Sequence, residues 1–309
     1  MREALPSQAA PNEQETPHRA RTVSANTASG SAKPASPRPG DGSRAEAHAS
    51  RLPVSCFIIA QNEADRIGRT IASVADLVSE IVVIDSGSTD DTVAIAEKAG
   101  AHVIFNEWPG FGQQKRFGEE QCRHDWLLNI DADEVVSGRL VDDIRKLFVR
   151  GDTPPLAVYG MRVSIVYPGQ SLPRPFARDH YCLRLYDRRR CRFKDSTLFD
   201  SVDPGSEKVG HLKGVLHHHS VRSLDDLARK ADERATYNAL HSKPKPTALL
   251  LVRAALELPW NVFKYVVLRT HILGGWTGLR YAWITAYYRW QRIVRMLRAN
   301  LSGGRHPDA

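Results

Sequence analysis

The sequence predicts an α/β fold built on a mostly parallel sheet with helices on both faces. Two observations carry this. Short apolar runs rich in β-branched residues recur at 54–60, 80–85, 102–105 and 126–130. Between them lie segments with apolar residues at helical spacing, and that alternation is the pattern of βαβ units.

The elements follow in order. Residues 1–50 are rich in Ala, Ser and Pro, with only Met1, Leu5 and Val23 large and apolar. Such a segment buries too little surface to offset its ordering entropy and is expected to be disordered. It has no continuous apolar run of the kind a secretory signal needs. Order is expected from Arg51. Val54–Ala60 reads as a buried strand, and Ile67, Ile71 and Val74 as one face of a helix. Glu80–Asp85 is a second strand. Ser88 or Thr89 then caps a helix running to Ala99, which Gly100 ends. His102–Phe105 is a third strand, 112–122 a helix, and Trp126–Ile130 a fourth strand, with Leu140, Ile144 and Leu147 marking a further helix. From 157 to 220 the pattern shifts to shorter strands and turns. Beyond Ser223 the chain is helical to Leu240, and Thr247–Leu258, Trp260–Thr270 and Gly278–Leu301 read as amphipathic helices.

Composition narrows the function. The chain has 309 residues, of which 42% are hydrophobic and 25% charged, so it is neither wholly disordered nor a membrane bundle. Four cysteines without CxxC spacing indicate neither a zinc site nor a disulfide framework, and favour a reducing compartment. The net charge of +8 calls for an anionic partner. From His241 to Arg305 there are eleven Lys/Arg against one acid, Glu257, together with four of the six tryptophans. That segment is interrupted by charges and Pro259, so no spanning helix is expected, and a basic, aromatic amphipathic region suits an anionic membrane surface.

Ligands of parallel sheets bind beyond the carboxyl ends of the strands. Three polar clusters fall there: Gln61-Asn62-Glu63, Asp85-Ser86-Gly87-Ser88, and Asp131-Ala132-Asp133-Glu134. Two carboxylates one residue apart after a buried strand can hold Mg²⁺ or Mn²⁺ with its phosphate ligands. Asp85 can accept from a nucleoside base or ribose. Lys115 and Arg116 can reach a diphosphate, or lie on a solvated helix face. Of His217, His218 and His219, alternation on a strand lets only one or two face a single ion. Asp200, after apolar neighbours, suits a general base or a surface turn.

These residues resemble a known family. Ile58-Ile-Ala-Gln-Asn-Glu63, Val83-Ile-Asp-Ser-Gly-Ser-Thr-Asp-Asp-Thr92, Trp108-Pro-Gly-Phe-Gly-Gln-Gln-Lys115 and Asn129-Ile-Asp-Ala-Asp-Glu134 look like family 2 glycosyltransferases, nearest the lipopolysaccharide-core β-glucosyltransferase branch. The resemblance implies a GT-A fold over 51–222, with a nucleotide half to about 150 and an acceptor half from 151, followed by a membrane-associating helical region at 223–309. It implies inverting transfer from a nucleotide-sugar donor such as UDP-glucose to a core-oligosaccharide or glycolipid acceptor, with a divalent cation (Mg²⁺ or Mn²⁺). By motif, Asn62, Glu63 and Asp85 bind the nucleoside, Lys115 assists at the diphosphate, and Asp131 and Asp133 serve the ribose and the metal. The family's basic His-Glu pair reads Phe199-Asp200 here, leaving Asp200 as the base. Its later His-Tyr-Ser falls on His218-His219-Ser220, which makes His218 the candidate of the three for the metal or the diphosphate. A second Asp usual after Asp85 is Ser86. The implied location is the cytoplasmic face of the inner membrane. Two alternatives stand beside this reading: a degenerate family member, and a basic nucleic-acid binder. Acidic clusters at the sheet edge oppose the latter, and the lack of GxGxxG after the first strand opposes a dinucleotide oxidoreductase.

Overall fold

A computed structural model describes residues 51–149, 153–177, 180–197, 200–243 and 245–302. The expected disordered segment 1–50 and Phe199 lie outside the described residues.

The first half alternates as predicted: β1 (Leu52–Ala60), α1 (Ile67–Ala72), β2 (Val78–Asp85), α2 (Thr92–Lys98), β3 (His102–Phe105), α3 (Phe111–Gln121) and β4 (Trp126–Asn129). Strands β3, β2, β1 and β4 are parallel neighbours in that spatial order. Then come β5 (Glu134–Val136), α4 (Gly138–Leu147), β6 (Val158–Ile165), β7 (His180–Asp187), a small hairpin of β8 (Arg192–Phe193) and β9 (Val202–Asp203), and β10 (Val209–His218). The sheet has eight strands in the order β3-β2-β1-β4-β7-β6-β10-β5. Strand β7 runs antiparallel between β4 and β6, and thereby joins the parallel half to the second half. This is the expected α/β class, with a Rossmann-like half continuing into a mixed half.

Both sheet faces are covered. Cys56 and Ile58 enter one core with Ile67, Leu128, Leu140 and Met161. Phe57, between them, enters the other with Ile84, Leu127, Tyr186 and Phe193. Successive side chains on a strand point to opposite faces, so a continuous apolar run is what a doubly covered strand requires. The four cysteines are unpaired.

Several elements differ from expectation. Helix α2 begins at Thr92, and neither Ser88 nor Thr89 caps it; Asp90 Oδ1 accepts from the Thr92 amide at 3.0 Å instead. Ser88 and Thr89 are taken by the neighbouring loop. The second half also contains long strands, β7 and β10, where the glycines and prolines suggested only short ones. Gly214 interrupts the β10 pattern for a packing reason: a Cβ there would lie 2.4 Å from Leu140 Cα.

The C-terminal region is helical: α5 (Leu224–Leu240), α6 (Thr247–Phe263) and α7 (Gly275–Leu301). Pro259 does not divide α6. It lies on the exposed side, where water can satisfy the carbonyl its missing N–H leaves free. A single π-helical turn, Lys264–Leu268, follows. Thr270, in the left-handed region at φ 57°, and the 3₁₀ turn His271–Gly274 then reverse the chain into α7. Among the described residues small apolar clusters join these helices, Leu250 with Ile293 and Met296, and Tyr265 with Ala282 and Ala286, beside polar ties such as Trp290 Nε1 to the Ala254 carbonyl at 2.7 Å and Arg295 to Asp232. No helix among the described residues is long and apolar enough to cross a membrane.

Candidate active site

Parallel pairing brings the ends of β1, β2 and β4 together, with Ala60 opposite Asp85 and Phe57 opposite Asn129. Strand β10 delivers His218 to the same edge, opposite Glu134 of β5. The three sequence clusters therefore converge.

The loops after β1 and β2 bind each other. Asn62, at φ 55°, accepts from the Thr89 amide at 2.8 Å, and its own amide donates to Ser88 Oγ at 2.9 Å. The Glu63 amide donates to Thr92 Oγ1 at 2.8 Å. Asp85 accepts from the amides of Gly87 and Ser88 at 2.9 and 3.0 Å, so its carboxylate shapes its own loop. Ser86 Oγ accepts from the buried Gln114 at 2.9 Å. Glu63 is buried against Arg66 and lies 3.0 Å from Arg222. Burial raises its pKa, and the two guanidinium groups only partly offset this.

The Asp131–Glu134 turn is the electrostatic centre. Asp131 Oδ1 receives Lys115 Nζ at 2.8 Å, and Oδ2 receives Arg184 at 2.7 Å. Burial acts against its charge, but these two cations hold it far below the ordinary carboxylate range. Arg184 also donates to Asn129 at 2.7 Å and to Glu134 at 2.8 Å. Glu134 carries the main burial penalty, and its pKa is pushed up to about 7.

Asp133 is buried and points elsewhere. Its Oδ2 is 3.2 Å from His218 Nε2 and 3.5 Å from Arg66. Burial disfavours the imidazolium, yet the facing Asp133 outweighs it and raises the His218 pKa to about 9. His217 and His219 take other directions, as strand alternation requires, and burial lowers the pKa of both. The His219 carbonyl accepts from Arg66 at 2.8 Å.

Lys115 is completely buried, and Nζ also lies 2.8 Å from Asp200. It therefore bridges the turn after β4 to the acceptor half, and it is not a solvated helix residue. Arg116, one position on and about 100° around the helix, donates to the Phe193 carbonyl at 2.9 Å, on the side of the small hairpin. The Asp200 side chain stays 41% exposed.

A divalent cation fits one part of this arrangement. Both Asp131 oxygens are already paired with cations. Asp133 Oδ2 and His218 Nε2, 3.2 Å apart, stand at the separation of neighbouring ligands on an octahedral ion with bonds of about 2.1 Å, and His218 would have to give up its proton for the ion to bind. Among the described residues no cluster of three or more His, Cys, Asp or Glu could hold a metal. The protein would thus supply two ligands and leave the others to phosphate and water, as Mg²⁺ sites commonly do.

Sequence reasoning missed Arg66, Arg184 and Arg222 as members of the site, and placed Glu134 in the acidic cluster without a role of its own. Arg184 lies in an otherwise apolar stretch of β7 with a buried face, which was the available signal. Arg66 and Arg222 carried none, because each acts through a contact distant in sequence.

The family model for glycosyl transferase family 2 matches residues 55–196. An uncharacterized glycosyltransferase of Rickettsia felis is 36% identical over 251 residues, covering 79% of this chain and 89% of that one. The lipopolysaccharide core biosynthesis glycosyltransferase LpsC of Rhizobium meliloti is 29% identical over 266 residues, covering 81% and 97%. Among solved structures, TarS 1–349 of S. aureus aligns with a TM-score of 0.41 at 14% identity, covering 82% of this chain and 92% of that one.

Proposed function

The chain belongs to glycosyltransferase family 2, and from that premise we propose that it is an inverting, metal-dependent transferase. Its donor is a nucleotide sugar of the UDP-glucose type, and its acceptor a lipopolysaccharide-core or other cell-envelope glycan or glycolipid. The observation that carries this reading is the meeting, at one sheet edge, of Asp131, the Asp133–His218 pair and Asp200 from the acceptor half, with Lys115 joining Asp131 to Asp200. The likeness to LpsC supports the acceptor class. A peripheral position on the cytoplasmic face of a membrane follows from a membrane-borne acceptor and the basic C-terminal helices.

In this reading the zippered loops at Asn62, Glu63 and Asp85 form the nucleoside seat. Their mutual hydrogen bonds fix it before the donor arrives, which lowers the ordering cost of binding. Asp133 and His218 would hold a divalent cation, which would supply charge stabilisation to the leaving diphosphate. Asp131 is held by Lys115 and Arg184 with its side chain 27% exposed, so it can accept from a ribose hydroxyl. Asp200, exposed and anchored through one oxygen, takes the proton from the acceptor hydroxyl. That oxygen then forms the new bond at the anomeric carbon, on the face opposite the departing diphosphate. The transition state has oxocarbenium character.

A thermal-shift screen of nucleotides and nucleotide sugars with and without Mn²⁺ tests this directly. The expected result is a metal-dependent rise with one UDP compound, followed by turnover of that donor. Unchanged melting and no donor turnover with any nucleotide sugar would overturn the catalytic reading.

A further inference from the structure

Most apolar side chains of the sheet body are buried, whereas many of those in the C-terminal helices are exposed. On α6, Leu249, Val252, Leu256, Trp260 and Phe263 are all exposed. At 100° per residue they fall within an arc of about 80°, a stripe about 21 Å long. The buried contacts of α6, through Leu250 and Asn261, lie on a different face. The stripe continues past the helix. Val267, Leu268, Ile272 and Leu273 are exposed in the elbow between α6 and α7, and Trp276 is 75% exposed at the start of α7. Trp283, two turns further, is exposed and stacked with Tyr287.

The elbow is firmly held from beneath. Tyr167 OH lies 2.6 Å from His271 Nδ1, and the His271 ring stacks on Tyr281. Arg174 donates to the Arg269 carbonyl at 2.9 Å, and Thr270 Oγ1 to the Phe176 carbonyl at 3.0 Å. These bonds fasten the loop after β6 to the elbow. That loop presents Leu172, 66% exposed, and Phe176, 82% exposed. Position in the fold gives this tip its meaning. Ile165, at the end of β6, pairs with His218, so Tyr167 is two residues, about 7 Å of chain, from the strand pair that carries the candidate metal ligand.

We propose that this tip, formed by the α6 stripe, the elbow and the Phe176 loop, inserts into the interface of an anionic lipid bilayer beside the acceptor side of the site. Charge selects the occupant. From 243 to 298 the chain has ten Lys/Arg and one acid, Glu257, which Arg253 already pairs at 2.7 Å. A second copy would bring like charges face to face. Anionic lipid meets both features, because tryptophan suits the headgroup level and each nearby Lys or Arg adds about 1 kcal/mol of attraction to such a surface. The inference rests on the membrane-borne acceptor proposed above and specifies which surface meets the membrane.

The test is flotation of the full chain with phosphatidylcholine vesicles, with and without phosphatidylglycerol. Binding is expected only to the anionic vesicles, weakening with salt, with a blue shift of tryptophan emission that bromolipids quench. The exposed variants Phe176→Asp, Ile272→Asp and Trp276→Asp should each weaken partitioning about tenfold, with melting temperature unchanged. Trp276→Phe should keep binding and lose part of the fluorescence response. Failure of the wild type to bind anionic vesicles, or wild-type binding by all three Asp variants, would overturn the proposal. So would sedimentation showing a dimer that these variants dissolve. Calorimetry with the nucleotide sugar separates the two readings: vesicle binding without donor binding would keep the membrane tip and reject the transferase assignment.

Discussion

In the sheet body Cys56, Phe57 and Ile58 are fully buried in succession, whereas in α6 Leu249, Val252, Leu256 and Trp260 face outward along one stripe. Both segments are rich in apolar residues. The body closes two cores around its strands, and the charges at its ligand edge form a paired network. Among the described residues the C-terminal helices have two small clusters of their own, and α6 and α7 together carry a net excess of positive charge. The difference teaches that apolar content does not report burial. The partner of an apolar face decides it, and among the described residues none covers the α6 stripe.

Four experiments sharpen or break this contrast. The largest effect is expected at the charged edge of the body. Asp133→Asn should lower donor turnover by about 10³-fold, or about 4 kcal/mol of barrier, and should also lower the melting temperature, because it leaves buried His218 and Arg66 without their carboxylate; equal turnover by the folded variant would remove Asp133 from the cation site. Lys115→Met comes next. It removes a buried cation from between two carboxylates, and because Asp131 and Asp200 are partly exposed the loss should be about 2 kcal/mol of stability, read by urea unfolding.

A smaller effect concerns the junction of the two regions. Burial lowers the His271 pKa to about 3 from an ordinary 6.5, with Arg174 and Arg269 adding to the shift. Between those values the unfolded chain binds a proton that the folded one refuses. Stability contributed above pH 6.5 should therefore be lost as pH falls toward 3. His271→Phe should flatten that part of the pH–stability curve; an unchanged slope would show that other groups dominate. The smallest effect belongs to the outer stripe. Leu256→Ser should change unfolding free energy by no more than about 0.5 kcal/mol. A large loss there would mean that the stripe packs against the chain after all.

Much of the body was legible because its signals are local. Cys56-Phe57-Ile58 and Ile81-Val82-Val83-Ile84 declare buried strands by composition, and the three polar clusters follow those strands at once. Alternation on β10 only limited the three histidines to one or two that could face a single ion; the family resemblance pointed to His218, which lies 3.2 Å from Asp133. Lys115 was open between a phosphate contact and a solvated face, and neither reading included its burial. Nothing within α3 reveals that Asp200, 85 positions away, closes over it. Pro259 misled for a related reason: its local rule is to break a helix, but an exposed position removes much of the cost.

By itself, the sequence determined the α/β class, the order of the first four strands and helices, the acidic turn after β4 and the basic, aromatic character of the C-terminus. Each depends on residues within a few positions of one another, where periodicity and turn chemistry act. Only the tertiary structure decided that Arg66, Arg184 and Lys115 neutralise the acidic edge, that β7 joins the two halves, and that the α6 stripe points outward beside the loop after β6. Those outcomes arise from contacts between distant segments, and their energies depend on which charges and surfaces the closed fold leaves without water.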